Sequence, residues 1–243
     1  MRKITPSGII STIAGDGTQG FGGDNGQAVN ASLNSPFGLA LDNAGNLYIA
    51  DEGNHRIRKV TPQGIISIVA GNGSFSNNVV GDGGAATQAE LNQSKAIAVD
   101  ANGNLYIGDA QLGRIRKVTA STGIITTIAG AGSSGSTAEG AAALTANLGS
   151  VTDLVLDTAG NIYFSQGFTA ASRIKKISVN GSVTTFGNVV SATGLALDKN
   201  GNLYATSFIG GMIYKHSADG TSTVVAGNGN SISNNNATHL TII

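Results

Sequence analysis

The sequence contains no cysteine and no tryptophan, and only 3 of its 243 residues are proline. The absence of cysteine excludes disulfide bonds, thiolate metal sites and cysteine nucleophiles. Charged residues make up 12% of the chain, and 14 basic residues balance 14 acidic ones. This neutrality argues against a nucleic-acid-binding surface, which normally requires an excess of positive charge. No run of apolar residues approaches the roughly 18 that a membrane span requires.

Glycine is the residue in excess, with 36 copies or about 15% of the chain, against an average usage of about 7%. Collagen is excluded because the glycines have no three-residue period and proline is scarce. The neutral charge and the regular occurrence of valine, isoleucine and leucine argue against a disordered chain. The composition therefore indicates a folded chain that is rich in turns.

One phrase, of the form Leu/Ile-x-Leu/Val-Asp-x-x-Gly-Asn-Leu/Ile-Tyr, occurs four times. Its aspartates are spaced by 58, 57 and 41 residues and stand at Asp42, Asp100, Asp157 and Asp198. Each copy is followed by a run in which apolar and basic residues alternate, which predicts a half-exposed strand. A β-branched run that ends in glycine comes next. Four short strands repeated at about 40 residues are typical of the blades of a β-propeller.

The repeat predicts an all-β chain that forms a single β-propeller domain, residues 1–243, of four-stranded antiparallel blades. We expect a partial blade at 1–15, a C-terminal strand at 238–243, and full blades at about 33–71, 91–130, 148–187 and 193–227. The two termini supply only three strands of a further blade. The chain is therefore either a five-bladed ring with an incomplete closing blade or a fragment of a six-bladed protein.

Three insertions account for the longer spacings, and they cover residues 16–32, 72–90 and 131–147. The first two contain Gly-Asp-x-Gly, with Asp24 and Asp82, and all three contain an Ala-x-x-Ala-x-Leu pattern. That pattern predicts one short helical turn held in place by its leucine. The third insertion lacks the aspartate, and the fourth full blade has no insertion.

The phrase Asp-x-x-Gly-Asn-Leu-Tyr-Ile-Ala-Asp and the stretch Asn54-His-Arg-Ile-Arg-Lys59 resemble the NHL repeat. The insertions look like those in the NHL repeats of bacterial secreted proteins. The resemblance covers nearly the whole chain and recurs four times. It implies a propeller, commonly with six blades, from a fold that serves both binding proteins and enzymes. The enzymes include a peptide-amidating lyase and similar calcium-dependent lactonases and esterases with a metal in the central channel.

The four repeated aspartates are predicted to be structural, because an aspartate before a turn accepts hydrogen bonds from the backbone two residues on. Asp51 and Asp109 end the second strand of their repeats, where the other two repeats have Gln166 and Ser207. We expect them to cap a loop, with ligand binding as the alternative. The arginines that begin the third strands could pair with an acid of a neighbouring blade.

Metal binding has little support in the sequence. Asp24 and Asp82 are the candidate ligands for Ca²⁺, but one carboxylate in each loop falls short of a known calcium loop. An aspartate-stabilised glycine turn is the alternative for both. The histidines His55, His216 and His239 have no ligand spacing, and no glutamate falls on an inner strand. No cofactor is predicted, with Ca²⁺ as the one metal considered.

The predicted function is a non-catalytic binding scaffold that takes a protein, peptide or glycan on the loops of one face, without nucleic acid and without a membrane span. A hydrolase or lyase with a metal in the central channel is the alternative, and self-association through the incomplete blade is a further expectation. The protein is expected outside the cytoplasm, extracellular or periplasmic, although no apolar signal-peptide core follows Met1. The candidate binding residues are Asp24, Asp51, Glu52, His55, Asp82, Asp109 and Gln166.

Overall fold

A computed structural model describes residues 1–78, 80–132, 138–167, 173–189, 191–217 and 221–229. The chain is all-β, and the four antiparallel blades of the predicted β-propeller class are confirmed. It divides into two compact units, an N-terminal unit (residues 1–107 and 117–126) and a C-terminal unit (residues 108–116 and 127–243). The helices in the described residues are short 3₁₀ turns, and none is long and apolar enough to cross a membrane.

The strands follow the repeat. A two-stranded hairpin of exposed residues comes first, formed by β1 (Arg2–Ile4) and β2 (Ile10–Thr12). The first blade contains β3 (Pro36–Leu41), β4 (Leu47–Asp51), β5 (Arg56–Val60) and β6 (Ile66–Ala70). The second blade contains β7 (Ser94–Val99), β8 (Leu105–Asp109), β9 (Arg114–Val118) and β10 (Ile125–Ala129).

The two remaining blades have the same strand order. The third contains the short β11 (Ala141–Ala142), then β12 (Val151–Leu156), β13 (Ile162–Gln166), β14 (Ile174–Ile177) and β15 (Ser182–Gly187). The fourth contains β16 (Ala192–Leu197), β17 (Leu203–Ser207), β18 (Met212–His216) and β19 (Ser222–Ala226). The predicted strand at 238–243 lies outside the described residues, so the number of blades and the closure of a ring remain predictions.

The repeated aspartates hold the hairpins between first and second strands, as predicted. In the first blade Asp42 accepts hydrogen bonds from the backbone N–H groups of Ala44 and Asn46, at 3.0 and 2.8 Å. Gly45 has a positive φ of 81°, which a side chain would disfavour. The same bonds recur at Asp100, Asp157 and Asp198. Because aspartate and turn are adjacent in the chain, each repeat builds its hairpin locally.

The insertions cover the outer strands of the blades. In the first insertion Asn25 N–H donates to the Ile66 carbonyl at 2.7 Å, and Ile66 N–H donates to the Gly26 carbonyl at 3.0 Å. Gly83 and Gly84 make the equivalent bonds to Ile125. The predicted helical turns are 3₁₀ turns, and they lie at Ala28–Asn30, Ala86–Gln88 and Ala143–Thr145. Pairing along these outer strands removes an open sheet edge that would otherwise favour aggregation.

The cores lie between sheets and are built from the alternate residues of the strands. In the N-terminal unit one buried cluster includes Tyr48, Ile57, Leu91 and Ile107. In the C-terminal unit a separate cluster includes Tyr163, Ile174, Leu195 and Leu203. The leucines that directly follow the three insertions are all buried, which is the reason why each short helical turn is held against its blade.

Candidate functional site

The guanidinium of Arg58 joins the first insertion to the first blade. Arg58, on β5, is completely buried. Its Nη2 and Nη1 lie 3.0 Å from Asp24 Oδ1 and 3.4 Å from Asp51 Oδ2. The same group donates to the carbonyls of Gly22 and Ser32, each at 2.9 Å. Together with the Nε bond to Asp24, these contacts match the five donor hydrogens of an arginine.

Asp51 connects this buried charge to the turn between the second and third strands. Its Oδ1 accepts from Asn34 N–H at 2.7 Å, and its Oδ2 accepts from Asn54 Nδ2 at 2.8 Å. Asn54 Nδ2 also donates to the Gly20 carbonyl at 2.7 Å. The loop-capping role expected for Asp51 is therefore confirmed. Asp24 lies against the blade beside Arg58, and its side chain remains 18% exposed.

The expectation of a half-exposed third strand agrees with the fourth blade, where four of the five residues of β18 are partly exposed. In the first two blades the central cation is instead fully buried, at Arg58 and Arg116. The arginines that begin these strands do not pair with an acid of a neighbouring blade. Arg56 donates to the carbonyls of Asn54 and Asn72, at 2.9 and 2.7 Å, and Arg114 makes similar bonds to Gly130 and Ala131. Gly73 makes room for Arg56, because a Cβ there would lie 2.2 Å from Nη1.

We call the contact between a cation of the third strand and an acid of the insertion, such as Arg58 with Asp24, a latch. The third blade has a latch made of different residues. Repeat alignment places Glu139 at the position of Asp24 and Lys175 at the position of Arg58. Lys175 Nζ lies 3.0 Å from Glu139 Oε1, and Thr185 N–H donates to Glu139 Oε2 at 2.7 Å. The hydroxyl and N–H of Thr185, with the Lys175 ammonium, lower the pKa of Glu139 to about 2. The third insertion has thus kept its acid as a glutamate, which the sequence interpretation missed.

This pair makes a testable prediction for acid stability. A folded-state pKa below that of the unfolded chain stabilises the fold above the unfolded pKa, and this stability is lost as the pH falls through the folded value. For Glu139 the loss is expected between about pH 4.5 and 2. Because Glu139 is largely exposed, Glu139→Gln should cost only about 1 kcal/mol at pH 7. Urea unfolding of the variant and the wild type at several pH values measures this difference in the free energy of unfolding.

A double-mutant cycle provides the control. In a Lys175→Met background, Glu139→Gln should cost less than in the wild type, since part of the effect depends on the ammonium. An equal cost in both backgrounds would show that Thr185 alone holds the carboxylate.

The other candidate residues occupy equivalent places in later repeats. Asp82 is exposed between two glycines of the second insertion, and Asp109 is buried at the end of β8. Gln166 replaces the aspartate at the end of β13, and its Nε2 donates to the Leu148 carbonyl at 2.9 Å. The Gln166 amide therefore donates to a backbone carbonyl, whereas Asp51 at the equivalent position accepts from a backbone N–H group. The fourth blade, which has no insertion, has Tyr214 at the Arg58 position.

Two phenylalanines from successive insertions flank the turn after β4. The Phe21 ring lies beneath Arg56, whose Cζ is 3.9 Å from the ring centroid. The Phe75 ring stacks on His55 with centroids 4.4 Å apart. Both rings remain accessible, with exposed fractions of 46% and 61%. We call Phe21, His55, Arg56 and Phe75 the aromatic surface.

Glu52 opens the same turn and pairs with Lys95 of β7, with Nζ and Oε1 3.8 Å apart. In the fourth blade the equivalent turn presents Phe208 and Ile209, which are 49% and 48% exposed. These turns lie at the end of the blades opposite the Asp42-type hairpins, because successive connections of an antiparallel sheet alternate between its ends. We call this end of each blade the insertion end and the other the hairpin end.

An inner-strand carboxylate of the C-terminal unit has an altered acidity. Asp153 on β12 accepts hydrogen bonds from Leu195 N–H of β16 and from Leu154 N–H, at 2.7 and 2.9 Å. Although Asp153 is only partly buried by surface area, desolvation by the protein around it raises its pKa to about 7 against these two bonds.

The alternative function, an enzyme with a metal in the central channel, has no cluster of metal ligands in the described part of the chain. No three histidine, aspartate or glutamate side chains come close enough there to hold a metal ion. Asp24, one of the two Ca²⁺ candidates, is instead paired with Arg58. Ca²⁺ at Asp82 remains a prediction.

His216, one of the three histidines, is buried in the fourth blade. Its Nδ1 shares a hydrogen bond with Ser222 Oγ at 2.6 Å, and burial lowers its pKa.

Comparison with known proteins identifies relatives by sequence. The family profile of the teneurin NHL domain matches residues 13–79 and 73–138, which together exceed half of the chain. Teneurin-4 of Homo sapiens is 41% identical over 100 residues, covering 37% of this chain and 4% of that protein. The chain thus corresponds to a small part of this relative.

Solved structures with the same fold are more distant in sequence. The nidogen/laminin complex contains a chain that superposes with a TM-score of 0.61 at 17% identity, over 89% of this chain and 67% of that one. Virginiamycin B lyase from Staphylococcus aureus superposes with a TM-score of 0.56 at 16% identity, over 98% of this chain and 64% of that one. At such identities the likeness shows the β-propeller fold alone.

Proposed function

Because the chain belongs to the NHL-repeat β-propellers represented by the teneurin NHL domain, we propose that it is a non-catalytic scaffold that binds a macromolecular partner. The partner would contact the insertion end of the blades. One observation carries the proposal. Among the residues that the structure describes, the exposed aromatic side chains all lie in loops at this end, and they are Phe21, Phe75 and Phe208.

Exposed aromatic side chains are costly to keep in water and are enriched where proteins meet partners. The rigid sheets behind them hold the loops in place, which is the usual way in which a scaffold presents a binding surface. The contacts of Arg58 with Asp24 and of Lys175 with Glu139 support this role, because they fasten the first and third insertions to their blades. The candidate residues Asp51, Asp109 and Gln166 would act by supporting these loops, whereas Glu52 and His55 lie closer to the partner.

The proposal is tested by changing exposed side chains at the two ends of the blades. Phe75→Ser and Phe208→Ser remove apolar surface at the insertion end, and Leu41→Ser and Val179→Ser are matched changes at exposed hairpin-end positions. Partners are collected from a proteome by cross-linking and mass spectrometry and are then purified. We expect the insertion-end variants to weaken binding at least tenfold, about 1.4 kcal/mol, with unchanged melting temperatures. Loss of binding only in the hairpin-end variants would contradict the proposal.

We also propose that the protein works outside the cytoplasm. The support is compositional: few charged residues and frequent asparagine, serine and threonine. Cell fractionation of the source organism with an antibody against the chain tests it, and a signal confined to the cytoplasmic fraction would contradict it.

A further inference from the structure

From the geometry of the aromatic surface we infer that it binds an acidic peptide segment that carries a large apolar side chain next to its carboxylates. This inference rests on the proposed binding function and names the chemistry of one partner. It concerns the N-terminal unit alone, where Phe21, His55, Arg56 and Phe75 lie around the turn Glu52–Asn54.

The two rings are held in position before any partner arrives. Arg56 is fixed by its bonds to the Asn54 and Asn72 carbonyls and lies over the Phe21 ring. His55 is fixed in the left-handed region, with φ of 52°, and its N–H donates to the Glu52 carbonyl at 3.0 Å. The Phe75 ring stacks on this fixed imidazole. Preorganised rings lose little conformational freedom on binding, so their apolar area contributes more fully to affinity.

The local position of Arg56 favours an anion. Arg58 pairs with Asp24 and Asp51, which together carry one negative charge more than it does, and Lys95 pairs with Glu52. Arg56 bonds only to neutral carbonyls, and no carboxylate of the described residues forms an ion pair with it. Its guanidinium therefore places positive charge on the Phe21 ring, next in the chain to His55, on which the Phe75 ring stacks. A carboxylate beside a large apolar side chain complements this arrangement.

The amide side chains around the surface argue for a peptide over a neutral glycan. Sugar hydroxyls are recognised through donors and acceptors that remain available for hydrogen bonds. Here Asn34 Nδ2 donates to the Gly53 carbonyl, Asn54 Nδ2 to the Gly20 carbonyl and Asn72 Nδ2 to the Gln88 carbonyl. These amides are used within the fold. The surface offers a partner two rings and a cation, which are the features that bind apolar and acidic side chains.

A random dodecapeptide library displayed on phage and selected on the whole protein tests the inference. We expect enriched peptides to contain aspartate or glutamate next to leucine, isoleucine or phenylalanine. Synthetic copies of these peptides, measured by fluorescence anisotropy, should bind Phe75→Ser and Arg56→Gln at least tenfold more weakly than the wild type. Arg56→Lys, which keeps the charge, should lose less, and Leu41→Ser should bind as the wild type does.

The outcomes separate this inference from the proposed function. No enriched peptides, enriched peptides without acidic residues, or equal affinity for Arg56→Gln and the wild type would each overturn the inference. Binding of a neutral oligosaccharide array that depends on Phe75 would overturn it as well, while leaving the binding scaffold intact. Peptide binding that is lost only in Phe208→Ser would place the partner in the C-terminal unit and likewise overturn it. Loss only in Leu41→Ser would contradict the proposed function itself.

Discussion

Replacing Arg58 by methionine is expected to lower the free energy of unfolding by about 3–5 kcal/mol, the usual cost of leaving a buried charge without its partner. The substitution leaves the buried carboxylate of Asp51 facing an apolar side chain. It also leaves the Gly22 and Ser32 carbonyls without their donor. Urea unfolding measures the change, and hydrogen exchange should show faster exchange in residues 16–32. Domains of ordinary stability have only about 5–15 kcal/mol to lose.

Two further variants make this result interpretable. In Arg58→Met with Asp51→Asn the stability should recover in part, because an amide is cheaper to bury than a carboxylate and still accepts the Asn34 N–H. Lys59→Met, the neighbouring cation on the same strand, should change stability by less than about 1 kcal/mol, since that side chain is partly exposed. An Arg58→Met protein as stable as Lys59→Met would refute the latch.

Replacing Asp153 by asparagine is expected to stabilise the protein at high pH and not at low pH. The folded-state pKa of Asp153 is about 7, and its ordinary value is 3.8. A raised pKa means that the stability conferred by the bound proton is complete below pH 3.8 and is lost as the pH rises towards 7. At 1.36 kcal/mol for each pKa unit, the stability of Asp153→Asn relative to wild type should increase by about 3–4 kcal/mol between pH 4 and 8.

Asp157, four residues further along the chain, provides a control of opposite sign. Burial acts to raise the pKa of Asp157, but hydrogen bonds from Asn161, Tyr163 and Ala159 outweigh it and lower the pKa. Asp157→Asn should therefore lose stability relative to wild type as the pH rises to about 4, and the difference should stay nearly constant from about pH 5 to 8. Unfolding of the three proteins by urea from about pH 2 to 8 compares them. A pH-independent difference between Asp153→Asn and the wild type would refute the raised pKa.

Much of the latch could have been recognised from the repeats. The cation at the Arg58 position is Arg58, Arg116 or Lys175 in the three blades that follow an insertion, and it is Tyr214 in the blade without one. The three insertions each contain an acid, Asp24, Asp82 or Glu139, and the blade that lacks the cation also lacks an insertion with its acid. That correlation indicates a contact between two segments. The alternating pattern of the third strand hid it, because an arginine between apolar residues was interpreted as exposed.

The aromatic surface had a weaker signal. Phe21 and Phe75 are single phenylalanines in insertions of dissimilar sequence, and neither belongs to a repeated phrase. His55 and Glu52 were selected as candidates because they follow the second strand. Phe75 from the second insertion stacks on His55 of the first blade. This contact depends on how two loops fold back on the sheet. The sequence period carries no information about it.

The amino-acid sequence alone was sufficient for the class of fold, the four strands of each full blade, the Asp42-type hairpins and the positions of the insertions. These features depend on residues close together in the chain, where an aspartate, a glycine and an alternating strand act locally. The tertiary structure decided which charges meet: Arg58 and Asp24 are 34 residues apart, and Lys175 and Glu139 are 36 apart. It also placed Asp24 and Asp51, two of the predicted binding residues, beside the buried guanidinium of Arg58, because their carboxylates offset the charge of a cation that has lost its water. The binding role of both aspartates stays a prediction.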